Sequence, residues 1–258
     1  MTAPVAVGVR RGKGYWASGL SSMLRFDYIT LRETLPFFLV LQILMGAGMA
    51  IIYGFYFADL PPVAATFIAT GAPTLAIIPV GMAVIPGIVM QHKFDQTYDF
   101  LWSLPVPRLA IAASNFILFT AVAIPGVAVS MLVAAWRYDI DLSVSWAVVP
   151  AILLAALMAN SVGFGFAHAI PEPRITNLLV NVIIFLVLLF SPIAFPISNF
   201  PEWFATVHRV LPFFHMASII RAGFTEGLVD GVAVSDLVVI AWTLGSWALA
   251  AWVVGRRR

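Results

Sequence analysis

The sequence predicts an all-α polytopic membrane protein, because its composition, its hydropathy and the placement of its basic residues all favour that fold class. Apolar residue types make up 62% of the 258 residues and charged types only 10%. Soluble domains hold roughly 45–50% apolar and about 25% charged residues. The mean hydropathy is +0.99, and lipid is the environment that suits so much apolar surface. The composition therefore excludes an ordinary soluble domain, a disordered chain and a nucleic-acid-binding protein.

Residues 1–35 precede the first long apolar stretch and predict a cytoplasmic tail followed by an amphipathic helix on the inner membrane surface. Arg25 and Asp27 interrupt a series of apolar residues at helical spacing. That series is Trp16, Leu20, Leu24, Tyr28, Leu31 and Leu35. The alternative is a cytoplasmic extension of the first span. No signal peptide is predicted, because charged residues closely precede the first apolar run.

Residues 36–258 predict a domain of six transmembrane helices, since a helix needs about 20 apolar residues to cross a bilayer. The second span contains Pro73, Pro79 and Pro86, so we expect kinks there. The predicted spans are 36–57, 63–90, 109–135, 144–167, 175–195 and 234–254. Between the last two, an apolar stretch broken by prolines predicts a re-entrant hairpin on the outer side.

The basic residues predict the orientation. Six spans place both termini on one side, and eleven of the fourteen lysines and arginines fall on that side. Only Arg137, Arg209 and Arg221 fall on the other. We therefore expect both termini in the cytoplasm. The scarcity of lysine, with only Lys13 and Lys93, is typical of a GC-rich bacterial genome and favours a bacterial inner membrane.

No constellation for catalysis or metal binding is evident. The sequence lacks a phosphate-binding P-loop, a zinc-protease motif, a nucleophile elbow and any cysteine. The spans hold almost no ionisable residues, which counts against a carrier driven by an ion gradient. Asn177 and Asn181 share one helix face in the fifth span, where they serve either helix packing or a substrate path.

The loop between the second and third spans carries the most specific pattern. Asp95 precedes a partly apolar stripe at helical spacing, formed by Thr97, Tyr98, Leu101 and Trp102. Pro105 and Pro107 then end the helix. Such a helix suits docking into a groove of a partner protein. The alternative is a helix that rests on lipid headgroups.

This loop resembles the first cytoplasmic loop of ABC-2 type exporter permeases. The family pattern is an acid, Gly-Thr, a hydrophobic helix, a small residue, Pro-Val and an arginine. Its matches here are Asp95, Thr97, Leu101, Ser103, Pro105, Val106 and Arg108, with Gln96 in place of the glycine. A second resemblance covers residues 191–196, 200–203 and 211–213, which are similar to the family's proline-rich signature after the fifth span, without its asparagine.

The resemblance implies a type V exporter-like permease that works with two cytoplasmic ATPase subunits and a second copy or a related permease, in a 2:2 complex. ATP and magnesium would bind to the ATPase, and this chain would hold no cofactor. The ATPase-coupling residues would be Asp95, Thr97, Tyr98, Leu101, Trp102, Pro105, Arg108 and Glu172. The outer gate would comprise Pro192, Pro196, Trp203, Phe204, Pro212 and Phe213, and the substrate path Asn177 and Asn181.

The implied activity is export of an amphiphilic drug or a lipid-like substrate. Export of a lipid-linked polysaccharide by the same fold is the first alternative. A gradient-driven secondary carrier is the second, and a membrane-embedded enzyme is the least favoured.

Overall fold

The computed structural model describes residues 12–56, 61–96, 100–101 and 103–256. The predictions for Thr97, Tyr98 and Trp102 therefore lie outside the described residues. Regular structure in the described ranges is helical throughout, with no strand, which confirms the predicted all-α class.

The helices follow one another with short connections. Their bounds are α1 Lys13–Leu31, α2 Leu35–Tyr56, α3 Pro62–Pro79, a π-helical turn Val80–Val84, α4 Ile85–Phe94, α5 Arg108–Tyr138, α6 Val148–Ala169, α7 Pro173–Phe190, a 3₁₀ turn Ile197–Asn199, α8 Glu202–Val210, α9 Pro212–Phe224 and α10 Val232–Arg256. Among the described residues, six stretches are long and apolar enough to cross a membrane: α2, α3 with α4, α5, α6, α7 and α10. The predicted six spans are confirmed.

The span boundaries differ from the prediction by up to five residues. The fifth span ends at Phe190 rather than at residue 195, because the chain leaves the helix at Ser191 and the next residues form a buried loop. The fourth span begins at Val148, four residues later than predicted. In the second span, the interruption expected from its prolines takes the form of the π-helical turn directly after Pro79.

The span formed by α3, the π turn and α4 lies at the centre of the bundle. In its most apolar window 72% of the residues are buried, against 22% in α2 and 17% in α10. Its π turn crosses α6 with almost no side chain between the backbones: a β-carbon at Gly81 would lie 2.5 Å from the β-carbon of Ala159. Gly163 of α6 faces the carbonyl oxygen of Gly81 in the same crossing. Small residues permit such close approach of membrane helices.

The two ends of the bundle are built differently. The end that contains α1 is called the α1 end. Here α1 packs on α5 and buries Gly19, Met23 and Asp27, while Trp16 and Tyr28 remain exposed. An exposed apolar face suits a helix that lies on a membrane, so the interfacial position of α1 stays a prediction.

The opposite end of the bundle, called the hairpin end, contains the helices α8 and α9, which follow α7 and precede α10 in the chain. The helix α9 is buried against α3, α6 and α10. The helix α8 keeps one side exposed. The re-entrant position of this hairpin in the membrane stays a prediction.

Candidate functional site

Hydrogen bonds connect the loop between α4 and α5, and the end of α4 that precedes it, to neighbouring parts of the α1 end. The hydroxyl of Tyr15 in α1 donates to the carbonyl oxygen of Pro105 over 2.7 Å. The ammonium group of Lys93, at the end of α4, donates to the carbonyl oxygens of Ala167 at 2.7 Å and Ile170 at 3.3 Å. These bonds bring α1, the loop and the α6–α7 turn together, and the resemblance assigns all three to the ATPase side.

Within this loop, neighbouring side chains point to different environments. Leu101 is 5% exposed and lines a small cavity of about 40 Å³ together with Met23 and Asp27 of α1. Phe100 is 59% exposed. Asp95 is also exposed and accepts two hydrogen bonds from the Gln91 amide, at 2.9 and 3.0 Å. Phe100 and Asp95 are therefore accessible from outside the bundle, whereas Leu101 packs against α1 within it.

Gln96 stands where the pattern of the resembled family has glycine. Its φ angle is 58°, in the left-handed region that glycine adopts without steric cost. The backbone turns here from α4 into the loop.

The remaining predicted coupling residues lie at the same end of the bundle. Pro105 is exposed, and Arg108 is the first residue of α5. Glu172 is exposed and caps α7, where its carboxylate accepts a bond from the Arg174 backbone N–H at 3.5 Å. The coupling role of all these residues stays a prediction.

Asp27 is a buried carboxyl group that the sequence pattern did not single out. It is 4% exposed and accepts a hydrogen bond of 2.5 Å from the Ser114 hydroxyl in α5. Burial raises the pKa of this carboxyl from 3.8 to about 6, and the bond from Ser114 opposes part of that rise. The joint between α1 and α5 therefore contains a group that changes charge in mildly acidic solution.

The stability of this joint is expected to fall as the pH rises. Because the folded pKa lies above the unfolded value, folding takes up a proton, so the stabilisation is complete below about pH 4 and is lost as the pH passes about 6. Asp27→Asn carries no titrating group and keeps a partner for Ser114. In the unaltered protein, the midpoint temperature of thermal unfolding in detergent should fall as the pH rises between these two values. In Asp27→Asn this fall should be absent. Equal slopes in both proteins would contradict this account.

The six predicted gate residues divide between a fixed and an exposed part of the hairpin end. Trp203 in α8 is 70% exposed. Phe204 and Pro196 are half-buried, and Pro192, Pro212 and Phe213 are buried. Among these residues the most exposed one therefore lies in α8, and Leu211 and Pro212 connect this helix to the buried α9. The gating role itself stays a prediction.

Arg221 fixes α9 in place. This arginine is 1% exposed and donates from Nε to the Thr70 hydroxyl at 2.9 Å and from Nη2 to the carbonyl oxygens of Phe67 at 3.1 Å and Ile193 at 2.6 Å. Its guanidinium also lies 4.2 Å from the centre of the Phe67 ring, in cation–π geometry. One side chain thus joins α9 to α3 and to the loop after α7, and no salt bridge to it occurs among the described residues.

Asn177 and Asn181 lie on the exposed side of α7. The side-chain amide of Asn181 donates to the carbonyl and side-chain oxygens of Asn177, both at 2.8 Å. The pair therefore satisfies part of its hydrogen bonding within α7 and contacts no other helix through these bonds. A polar pair on an open helix face is compatible with a substrate path, which stays a prediction.

Sequence reasoning missed the burial of Arg221 and Asp27. It counted Arg221 among the outer charges and took Asp27 for part of an exposed face. Neither residue lies in one of the six spans, and in the described parts of those spans no charged side chain is fully buried. A chain of ionisable groups across the membrane is thus not formed by the residues that the structure describes.

Comparison with known protein families assigns the chain to one family. The family model described as ABC-2 type transporter matches residues 20–225. The chain belongs to the ABC-2 type transporter family. No curated protein matches this ABC-2 type transporter significantly. The matched region includes both the α4–α5 loop and the α8–α9 hairpin, so the two features that carried the resemblance lie within it.

The family membership settles the general role of the molecule. An ABC-2 type membrane domain is a transmembrane permease component of an ABC transporter and not a catalytic domain. Members of the family work with ATPase subunits in a membrane. This ABC-2 type transporter is thus a multi-pass membrane protein with six apolar helices.

Proposed function

We propose that this chain is the permease subunit of an ATP-driven exporter that moves an amphiphilic drug or a lipid-like substrate out of a bacterial cell. The observation that supports this most directly is the α4–α5 loop, which is hydrogen-bonded to α1 and presents the aromatic side chain of Phe100 outward. An exposed aromatic residue is a suitable anchor for a partner protein.

The proposed partner is an ATPase on a separate chain, which would bind ATP and magnesium. Both termini and the α1 end would face the cytoplasm, as the placement of basic residues favours. Two permeases, either two copies of this chain or this chain and a related one, would join two ATPase subunits.

The proposed substrate path runs along α7, between the two permeases. Most of the surface of α7 is open in the single chain, and it carries the Asn177 and Asn181 pair between apolar side chains. Such a wall offers a few hydrogen bonds within an apolar surface, which suits an amphiphile better than an inorganic ion. The helix α8 would form the movable part of the outer gate.

Phe100→Asp tests the proposed coupling surface. The tagged chain, expressed with its neighbouring genes and purified in mild detergent, is expected to bring an ATPase with it in a 1:1 ratio. Phe100→Asp should lower the amount of copurified ATPase at least about ten-fold, because an aromatic anchor at the centre of an interface contributes about 2 kcal/mol or more.

Trp203→Asp is the matched control, since it places the same charge on an exposed aromatic position at the opposite end of the bundle. It should leave the ATPase ratio unchanged. Equal ATPase recovery with Phe100→Asp would disprove the coupling assignment. A permease that purifies without any ATPase, and whose transport depends on a proton gradient, would instead support the secondary carrier.

A further inference from the structure

A cavity of about 450 Å³ opens at the hairpin end, between α7, α10 and the α8–α9 hairpin. Ligand pockets in proteins span about 300–1,000 Å³, so this cavity has the size of a binding site. Met82, from the π turn of the central span, contributes to its wall. Single π-helical turns inside α-helices often mark functional positions.

The wall of this cavity is apolar. Its side chains include Phe166, Ile183, Val187, Phe190, Leu211 and Phe213. Two residues with polar side-chain atoms also line it, and each donates one hydrogen bond within the protein. Trp242 donates from its indole nitrogen to the Val210 carbonyl oxygen at 2.9 Å, and the Nδ1–H of His208 donates to the Phe204 carbonyl oxygen at 3.0 Å. The matching ligand is therefore a hydrocarbon group.

The cavity is continuous with the surface that the spans present to lipid. Two residues at its rim, Leu186 and Phe190 of α7, are 52% and 51% exposed. In a membrane, these side chains contact acyl chains. Water does not favour an apolar cavity without polar partners, and a void of this size would forfeit dispersion contacts along its whole wall. The neighbouring acyl chains are the apolar molecules that can enter.

We propose that this cavity binds one acyl chain of a membrane phospholipid, which enters from the side between α7 and α10. The helix α8 covers the chain through Phe204 and His208, while its opposite side, with Trp203, stays exposed. The phospholipid thus holds α8 against α7 and α10.

This site requires Leu186 and Phe190 to face lipid. Each lies nine residues after an asparagine of the proposed substrate path, Asn177 or Asn181, and therefore about 180° around α7 from it. A second permease at the asparagines and a phospholipid at the cavity thus occupy opposite sides of α7.

Photochemical labelling tests the proposal. The full chain is placed in vesicles of phosphatidylcholine and phosphatidylglycerol that contain a trace of phosphatidylcholine with a photoactivatable diazirine on one acyl chain. After irradiation, peptide mapping should find adducts concentrated in residues 183–190 and 204–213. The exposed face of α2, which contacts ordinary surrounding lipid, gives the reference yield.

Ile183→Trp fills the cavity and should lower the adduct yield in these two segments several-fold. Leu186→Trp narrows the rim and should act in the same direction without altering the buried core. Ile124→Trp makes the same change on the exposed face of α5 and should leave the yield unchanged. Adduct yields at the reference level, or yields that neither cavity variant changes, would overturn the proposal.

A second copy of the chain is the competing occupant. Because the sequence contains no cysteine, a Leu186→Cys variant reports on this directly. Rapid formation of disulfide-linked dimers from this variant in vesicles would show that protein covers the rim, and would overturn the lipid site. Unlinked chains together with the expected adducts would support it.

Discussion

Arg221→Met is expected to lower the free energy of unfolding by about 3 kcal/mol or more, because charged hydrogen bonds contribute about 1.5–3 kcal/mol each and their loss leaves buried acceptors unpaired. The buried guanidinium makes bonds to Thr70, Phe67 and Ile193. Of these acceptors, the Ile193 carbonyl lies in a loop outside the helices and has no helical partner to replace the arginine. Thermal unfolding in detergent, followed by the loss of monodisperse protein, measures the effect.

Arg209→Met is the matched control for this change. Arg209 lies on α8, is largely exposed and forms a surface ion pair with Glu202 at 2.9 Å. Exposed ion pairs contribute about 0–1 kcal/mol, so the control should unfold close to the unaltered protein. Arg221→Lys should fall between the two, because an ammonium group keeps the charge but cannot form the forked set of bonds. An unfolding midpoint for Arg221→Met equal to that of Arg209→Met would refute the role of Arg221.

Gly163→Ala is expected to destabilise the protein by about 2 kcal/mol or more, since extra atoms forced into a packed core cost about 1–3 kcal/mol even where side chains can adjust. Here the new β-carbon meets the Gly81 carbonyl oxygen, and its next contacts are the Cα of Met82 and the Cδ of Pro86, both at 3.1 Å. Backbone and proline ring atoms have little freedom to move. The same unfolding measurement in detergent applies.

Gly87→Ala provides the comparison at a second glycine of the central span. A β-carbon there meets no atom within 4 Å. Replacing a helical glycine by alanine at an open position stabilises a helix by up to about 1 kcal/mol, so this variant should be neutral or slightly stabilised. Of the two alanine variants, only Gly163→Ala should therefore lower the midpoint temperature of unfolding. A Gly163→Ala protein as stable as Gly87→Ala would show that α6 and the π turn are not closely packed in the membrane.

The spans could be predicted from sequence because the bilayer imposes a length and a composition on each of them. The misplaced end of the fifth span shows the limit of that signal. Three of the residues 191–195 are apolar, but this segment forms a largely buried loop in the protein interior rather than continuing the span. Hydropathy reports that a segment avoids water and does not distinguish lipid from a buried loop.

The burial of Arg221 and Asp27 could not be predicted because their partners are distant in the sequence. Arg221 is 151 residues from Thr70, and Asp27 is 87 residues from Ser114. A local pattern of charges assigns each to an exposed face, and only the tertiary packing shows that both are buried. The same holds for Leu101, whose apolar character fits a partner groove as well as the cavity beside α1 that it lines.

The π-helical turn at Val80–Val84 also sets the direction in which the α4–α5 loop points. A π turn closes its hydrogen bonds over five residues instead of four, so it holds one residue more than the α-helical turn it replaces. Each residue of an α-helix adds about 100° of rotation about the axis. The extra residue of the π turn, deep in the bundle, therefore rotates all the residues that follow it about the helix axis. These include Lys93 and the loop that follows α4. Loss of that residue would turn the docking face to another side of the molecule while leaving every side chain of the loop unchanged.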